Sequence, residues 1–146
     1  MIADQLNAGM RLPQNGRWVE FDSGLVPGED AILATEQSFA GPCAVLLVDN
    51  APLLACGIVK ISGCVGEAWT MINRDLAKHR PLLLTRAVRK AIDITAISHG
   101  LHRVQMVVHS QQYEAIRWAF ALGFTVESLM IKYGDDQSDH FMFVRL

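Results

Sequence analysis

Cysteine is scarce in this chain, limited to Cys43, Cys56 and Cys64, and the spacing fits no thiolate metal motif. An odd, scattered set argues against a disulfide-stapled secreted scaffold. It fits small apolar core residues in a reducing compartment, and pairing Cys56 and Cys64 with His79 as metal ligands has no spacing to support it. Long hydrophobic runs are missing too. The most apolar stretch, Ala51 to Val59, is broken by Pro52 and Gly57 and falls far short of the ~20 residues a membrane helix needs. Asp4 sits early and no charged start leads into an apolar run, so no signal peptide is expected. Charge of one sign is also lacking: a net charge of -2 gives no global pull toward nucleic acid or an anionic membrane. There is no repeat, low-complexity tract or linker. These absences predict a soluble, cytoplasmic protein without a membrane partner.

What is present is a globular composition, 51% hydrophobic and 19% charged, on 146 residues, enough for one domain spanning 1–146. Residues 1–42 are heavily punctuated by Pro13, Asn15-Gly16, Gly24, Pro27-Gly28 and Gly41-Pro42. Within them Ile2 to Ala8 predicts a short helix and Trp18 to Phe21 a short strand or loop. Glu29 to Phe39, with Ile32, Leu33 and Glu36 at helical spacing after Gly28, predicts a further helix. From Cys43 the pattern sharpens. Ala44 to Val48 and Leu54 to Ile61 predict a hairpin about an Asp49-Asn50-Ala51-Pro52 turn, and Glu67 to Ile72 a third strand. A helix begins at Pro81, whose missing N–H suits the first helical position. Its inward face is Leu84, Ala87, Val88, Ala91, Ile94, Thr95 and Ser98, and Gly100 closes it. Val104 to His109 predicts a buried strand. Ser110 is the expected N-cap of a helix from Gln111 to Leu122, with Gly123 at its end. Thr125 to Tyr133 and Asp139 to Leu146 predict the last two strands about Gly134-Asp135-Asp136. The order implies an α/β protein with a mixed central sheet of six or seven strands and helices on both faces.

Charge is local. Between Arg74 and Lys90 lie six basic residues and His79 against one acid, Asp75. Such a stretch marks either an anion site or a solvated helix face. A nucleic-acid surface is disfavoured, because no aromatic platform is interleaved with it.

The run Gly66-Glu67-Ala68-Trp69-Thr70, then His79-Arg80-Pro81-Leu82, then Ala115-Ile116-Arg117-Trp118 with Leu122-Gly123-Phe124, and the terminal His140 to Arg145, resembles the GNAT acyltransferases. The resemblance covers roughly Ala44 to Leu146 and is closest to divergent GNAT-like proteins of tailed phages. It implies that acyl-CoA lies between two splayed parallel strands, with its pyrophosphate at the N-terminus of the helix after the fourth strand, where free N–H groups and the helix dipole favour an anion. Arg80 fits the first position of the family's phosphate-binding pattern, but Leu83 and Thr85 occupy its two small-residue positions. Amides from Leu82, Leu83, Leu84 and Thr85, helped by the charges of Lys78, His79, Arg80 and Arg86, would then hold acetyl-CoA, with no metal. A strand N–H near Met71 or Ile72 would polarise the thioester carbonyl.

In the second helix Gln112 stands at the family's Asn position, Ala115 and Gly123-Phe124 match, and Ala119 replaces a tyrosine that commonly protonates the leaving thiolate. Tyr113 is an available phenol nearly two turns earlier, either a substitute acid or a packing residue. His109, ending its strand beside the expected splay, is the candidate general base or simply a strand-end histidine bonded to backbone. Glu67 is a candidate water-linked relay. Trp69, Trp118 and Phe120 fit core positions. The implied reaction is acetyl transfer from acetyl-CoA to an unidentified amine, a small molecule or a protein. The phage likeness also admits a structural module with little turnover, bound to a phage particle or host protein. The apolar run Phe141 to Val144 permits a homodimer through the last strands.

Overall fold

Residues 1–26 and 30–146 are described by the computed structural model, with the side chains of residues 30–32 excepted. The chain runs α1 (Ile2–Gly9), β1 (Gly16–Glu20), α2 (Asp30–Ser38), β2 (Cys43–Val48), β3 (Ala51–Ser62), β4 (Val65–Ile72), α3 (Arg74–Ala77) and α4 (Pro81–Ser98). It continues with β5 (Arg103–His109), α5 (Tyr113–Ala121), β6 (Thr125–Met130) and β7 (His140–Arg145). The strands form one sheet in the order β1-β2-β3-β4-β5-β7-β6. Among the described residues, only β4 and β5 are parallel; every other neighbouring pair is antiparallel. The mixed sheet and two-sided helical cover agree with the expected fold class.

Alternation along the strands sorts the core into two faces. Leu46, Leu54, Cys56, Ile58, Val104, Val108 and Phe143 point toward the inner stripes of α1, α4 and α5. Val45, Leu47 and Ala55 point the other way, toward Ala34 of α2, with Trp69 and Met71 packed against them. Trp18, Phe124 and Phe143 are the largest side chains fully removed from water, each worth about 1.5–3 kcal/mol by area. Cys56 belongs to this core, and burial pushes its thiol up to about 12. Cys64 does not: it is exposed in the turn between β3 and β4, contrary to the core role expected of all three cysteines.

Local chemistry explains where boundaries moved. The β2–β3 turn is only Asp49-Asn50, both left-handed (φ 54° and 62°), the geometry of a tight hairpin. Pro52 is therefore inside β3, tolerated beside a bulge where Leu47 pairs with it. Ser110 does not cap α5. The helix starts two residues later than expected, with Gln112 at the cap: Ser110 still donates its N–H to the Asp139 carbonyl, and the Gln111 and Gln112 N–H groups turn back to His109 before the helix begins. Strand β6 ends at Met130, short of Tyr133. Helix α4 buries Leu84, Ala87, Val88, Ala91, Ile92 and Thr95, while Ser98 is exposed and bonds Gln5. Gly100 (φ 65°) and Gly123 (φ 92°) end α4 and α5 as the sequence indicates. In both, the next residue returns its N–H to the helix, Leu101 to Ala96 and Phe124 to Ala119, the Schellman arrangement. The expected helix start at Gly28 and Glu29 lies outside the described residues, as does the Ile32 side chain.

Candidate active site

Strands β4 and β5 are laddered only at Val65, Gly66 and Glu67 against Arg103, Val104 and Gln105. Beyond that point each strand stays paired to its other neighbour, β4 with β3 as far as Ile72 and β5 with β7 as far as His109. Among the described residues, 68–72 and 106–109 therefore face each other without ladder bonds, and the sheet opens into a V. A cleft of about 790 Å³ fills the opening. Its walls are Glu67 to Ile72 of β4 and Met106 to Val108 of β5, with Leu33 and Gln37 on the α2 face and Leu84, Ala115 and Trp118 on the other.

The register decides which peptide groups face the opening. Successive residues of a strand direct their N–H and C=O to alternate sides. The Asn73 N–H donates to the Leu53 carbonyl at 2.9 Å, and the ladder continues as Leu54 with Ile72 and Ala55 with Met71. Met71 is thus directed at β3, while Ala68, Thr70 and Ile72 turn their peptide groups to the cleft. Of the two strand amides anticipated as carbonyl-polarising groups, Ile72 is suitably directed and Met71 is not; Thr70 was missed, although strand parity alone would have supplied it.

Two helix N-termini bound the cleft. At α4 no side chain caps the first turn, and Pro81 has no N–H to offer. The Leu84 amide already donates to the Arg80 carbonyl at 3.0 Å, so the helical ladder begins there and leaves the amides of Leu82 and Leu83 free. Leu84 and Thr85, expected to contribute amides, are in the ladder. The Thr85 hydroxyl is also occupied, donating to the Pro81 carbonyl and accepting from Trp118 Nε1 at 3.1 Å. That second bond pins α5 to the start of α4. Lys78, His79 and Leu82 are exposed around this terminus. Arg80 leans toward the β2–β3 turn, 3.8 Å from Asp49 with both side chains well exposed, a contact of little strength in water. Arg86 turns to the α1 side of α4, away from the cleft. A short helix, α3, precedes the site; it is capped by the Asn73 side chain and was not foreseen.

At α5, Gln112 lines the cleft as expected, together with Glu114 and Ala115. Its first turn also has no side-chain cap, so a second positive dipole end faces the opening. Tyr113 does not join them. It is 64% exposed with its hydroxyl on Gln111, outside the cleft lining. Ala119, at the position of the absent tyrosine, is completely buried.

His109 is likewise outside the lining. Its Nδ1 accepts the Gln111 N–H at 3.0 Å, and its ring stacks edge-on against His140 at 5.0 Å. The lone pair of the neutral ring is therefore engaged and the ring proton lies on Nε2, which suits the backbone-bonded alternative and not a base. Glu67 does line the cleft and is held from behind. Arg103 grips Glu127 with two bonds of 2.6 and 2.8 Å and donates from Nε to Gln105 Oε1 at 2.9 Å. This fixes the Gln105 amide so that Nε2 points at Glu67 Oε1, 3.4 Å away. Gln37, unremarked in the sequence, also lines the cleft, and so does Arg74, noted there only as the start of the basic stretch. Gln37 Oε1 and Trp69 Nε1 are buried with no hydrogen-bond partner. Trp69 and Trp118 are thus cleft walls more than core, and Phe120 is half exposed against Phe143.

No protein-family model and no curated protein sequence matches the chain. Solved structures do. Ard1 from Thermoplasma volcanium superposes with a TM-score of 0.72 at 16% identity, covering 90% of this chain and 97% of that one. A GNAT-family acetyltransferase from Bacillus anthracis gives 0.73 at 12% identity, with 91% and 95% covered. The yncA protein of Salmonella typhimurium, solved with its cofactor acetyl-CoA, gives 0.68 at 16% identity, with 90% and 94% covered. The open seam between β4 and β5 thus belongs to a chain that carries the fold of the GNAT acetyltransferases.

Proposed function

We propose that the protein is an acyl-CoA-dependent N-acetyltransferase that moves an acetyl group from acetyl-CoA directly to an amine. The observation that carries this reading is the open β4–β5 seam with the uncapped start of α4 beside it. The seam accepts an extended pantetheine arm, whose amides can pair with the free peptide groups of Ala68, Thr70 and Ile72. The Leu82 and Leu83 amides meet the pyrophosphate, and Lys78, His79 and Arg80 add charge where the usual glycines are absent.

In the transfer, the amine nitrogen attacks the thioester carbonyl, the new C–N bond forms, and the C–S bond breaks with its electron pair left on sulfur. The developing oxyanion accepts from the Ile72 or Thr70 N–H. Glu67 takes the ammonium proton through a bridging water, its carboxylate aimed by Gln105. The thiolate is a weak base, since a free thiol titrates near ~8.5, and the N-terminus of α5 favours it electrostatically. Lack of the tyrosine acid then costs on the order of 10²–10⁴-fold in rate and leaves catalysis by proximity in place. The acceptor enters from the α2 face, where Gln37 and Trp69 carry unpartnered polar atoms. Thiol release from acetyl-CoA, followed against polyamines, lysine-containing peptides and peptides with free α-amines, tests the reading. An acceptor-dependent rate abolished by Glu67→Gln supports it, and calorimetry showing no heat with millimolar acetyl-CoA would remove it.

The second reading, a GNAT-fold structural or host-interaction module, draws on the buried Ala119 and the bulky Leu83. It requires that acetyl-CoA binds without turnover on any amine, or not at all.

A further inference from the structure

The core between the sheet and α4 is not completely filled. A cavity of about 40 Å³ lies there, whereas close-packed interiors keep few voids larger than a water molecule. Small residues create it from both sides. Ala44, Cys56 and Ala68 line it from β2, β3 and β4, and Ala91 and Thr95 from α4. Nearby positions on the same surfaces carry Leu46, Leu54 and Leu84, so the thin lining is local. Among the described residues no charged side chain lines the cavity. Cys56 offers no nucleophile there, since burial pushes its thiol up to about 12.

The cavity adjoins the candidate active site. Five residues line both spaces: Ala68, Trp69 and Thr70 of β4, Met106 of β5 and Trp118 of α5. At most one layer of side chains therefore separates the cavity from the cleft. Met106 belongs to that layer, and an unbranched thioether changes rotamer readily. The register fixes where a bound acyl group stands. Thr70 turns its peptide group to the opening, and alternation puts its side chain on the same face as Ala68, which packs on the α4 side of the core. A thioester carbonyl held by the Thr70 N–H thus has its acyl chain beside the wall that the two spaces share.

We propose, resting on the acyltransferase reading, that this cavity takes the tail of a donor acyl group longer than acetyl, and that the butyryl thioester of coenzyme A is the preferred donor. About 10–15 Å³ suffices for one water-sized group, so a cavity of about 40 Å³ admits the two further carbons of butyryl and stops a long chain. The bonds exchanged are those of the acetyl reaction. The amine nitrogen bonds to the acyl carbon, the C–S bond breaks with its electron pair left on sulfur, and the ammonium proton passes through water to Glu67. The product is an N-butyryl amine. An apolar void stays dry, so the chain displaces no ordered water on entering. Each buried methylene is worth about fourfold, which makes the preference of butyryl over acetyl roughly fifteenfold.

Calorimetric titration of acetyl-CoA, butyryl-CoA and octanoyl-CoA into the wild type and into the Ala44→Val and Ala91→Val variants tests it. These substitutions fill the cavity from opposite walls, and neither residue lines the cleft. The wild type should bind butyryl-CoA at least about tenfold more tightly than acetyl-CoA, and octanoyl-CoA less tightly than butyryl-CoA. Either variant that keeps a cooperative melting transition should bind acetyl-CoA as the wild type does and lose the preference for butyryl-CoA. Equal affinity for acetyl-CoA and butyryl-CoA in the wild type, tightest binding of octanoyl-CoA, or a butyryl preference that survives in both variants overturns the pocket and leaves the acyltransferase reading standing. Failure of all three ligands to bind the wild type overturns both.

Discussion

The two halves of the sheet are built differently. Strands β1 to β4 are covered on both faces, by α1 and α4 on one side and by α2 on the other, and five of the six residues of β3 from Leu53 to Ile58 are buried, all but Gly57. Strands β5, β7 and β6 carry α5 on one face. The other face of this half carries the polar chain Gln105–Arg103–Glu127, which reaches Glu67 of β4 across the join, and β6 is exposed along nearly its whole length. The halves touch through three register pairs and then diverge. The difference teaches that packing and chemistry have been separated in space. The first half supplies a rigid wall, the second a lightly covered one, and the place where hydrogen-bonded sheet is given up is where a ligand backbone can replace it.

The comparison breaks most severely at the join. Gly66 is buried, and a Cβ on it would strike the Ile58 side chain and approach Leu101 Cδ1 to 3.1 Å. Gly66→Val is expected to lower unfolding free energy by about 3 kcal/mol, the upper end for overpacking, read from the urea midpoint; unchanged stability would mean that the join tolerates movement. Filling the opening should act differently. Thr70→Trp places bulk in the cleft without touching the join, and should weaken acetyl-CoA binding tenfold or more, ~1.4 kcal/mol, with the melting transition retained. Calorimetry beside thermal unfolding separates the two effects.

A smaller change tests how the halves are braced on their helical side. Trp118→Phe removes the indole N–H that reaches Thr85 and should cost about 1 kcal/mol, the usual net worth of one hydrogen bond. The Thr85→Val variant should cost a similar amount and the double variant little more. The smallest effect concerns the polar chain. Arg103, through its hydrogen bonds and then its charge, holds the Glu127 carboxyl below the ordinary carboxylate value. A folded-state pKa depressed in this way gives stability that is complete above the unfolded value, about 4.3, and is lost as pH falls through the lower folded one. Glu127→Gln should therefore be slightly less stable than the wild type at pH 7, with the gap closing below about pH 4. A gap that persists in strong acid would point to packing instead.

Much of this architecture was legible in the residues. Pro81 and Gly100 bracket α4, Gly123-Phe124 closes α5, and the apolar runs from Cys43 to Ile58 read as buried strands, because local propensity and tertiary burial agree there. The site was less legible, since its members are chosen by pairing. Nothing in the sequence says that Asn73 bonds Leu53, yet that bond settles that Ile72 and not Met71 faces the opening. His109 has the right chemistry and a plausible place, but the Gln111 N–H takes its lone pair. The charge count from Arg74 to Lys90 could not reveal that helical periodicity sends Arg86 and Lys90 to one flank of α4 and Arg89 to another.

Backbone amide shifts followed by heteronuclear NMR during titration with acetyl-CoA test the central claim most directly. The Leu82, Leu83, Thr70 and Ile72 amides should move together and saturate, while Met71, bonded within the sheet, moves far less. Saturating acetyl-CoA that leaves those four resonances in place would contradict the account.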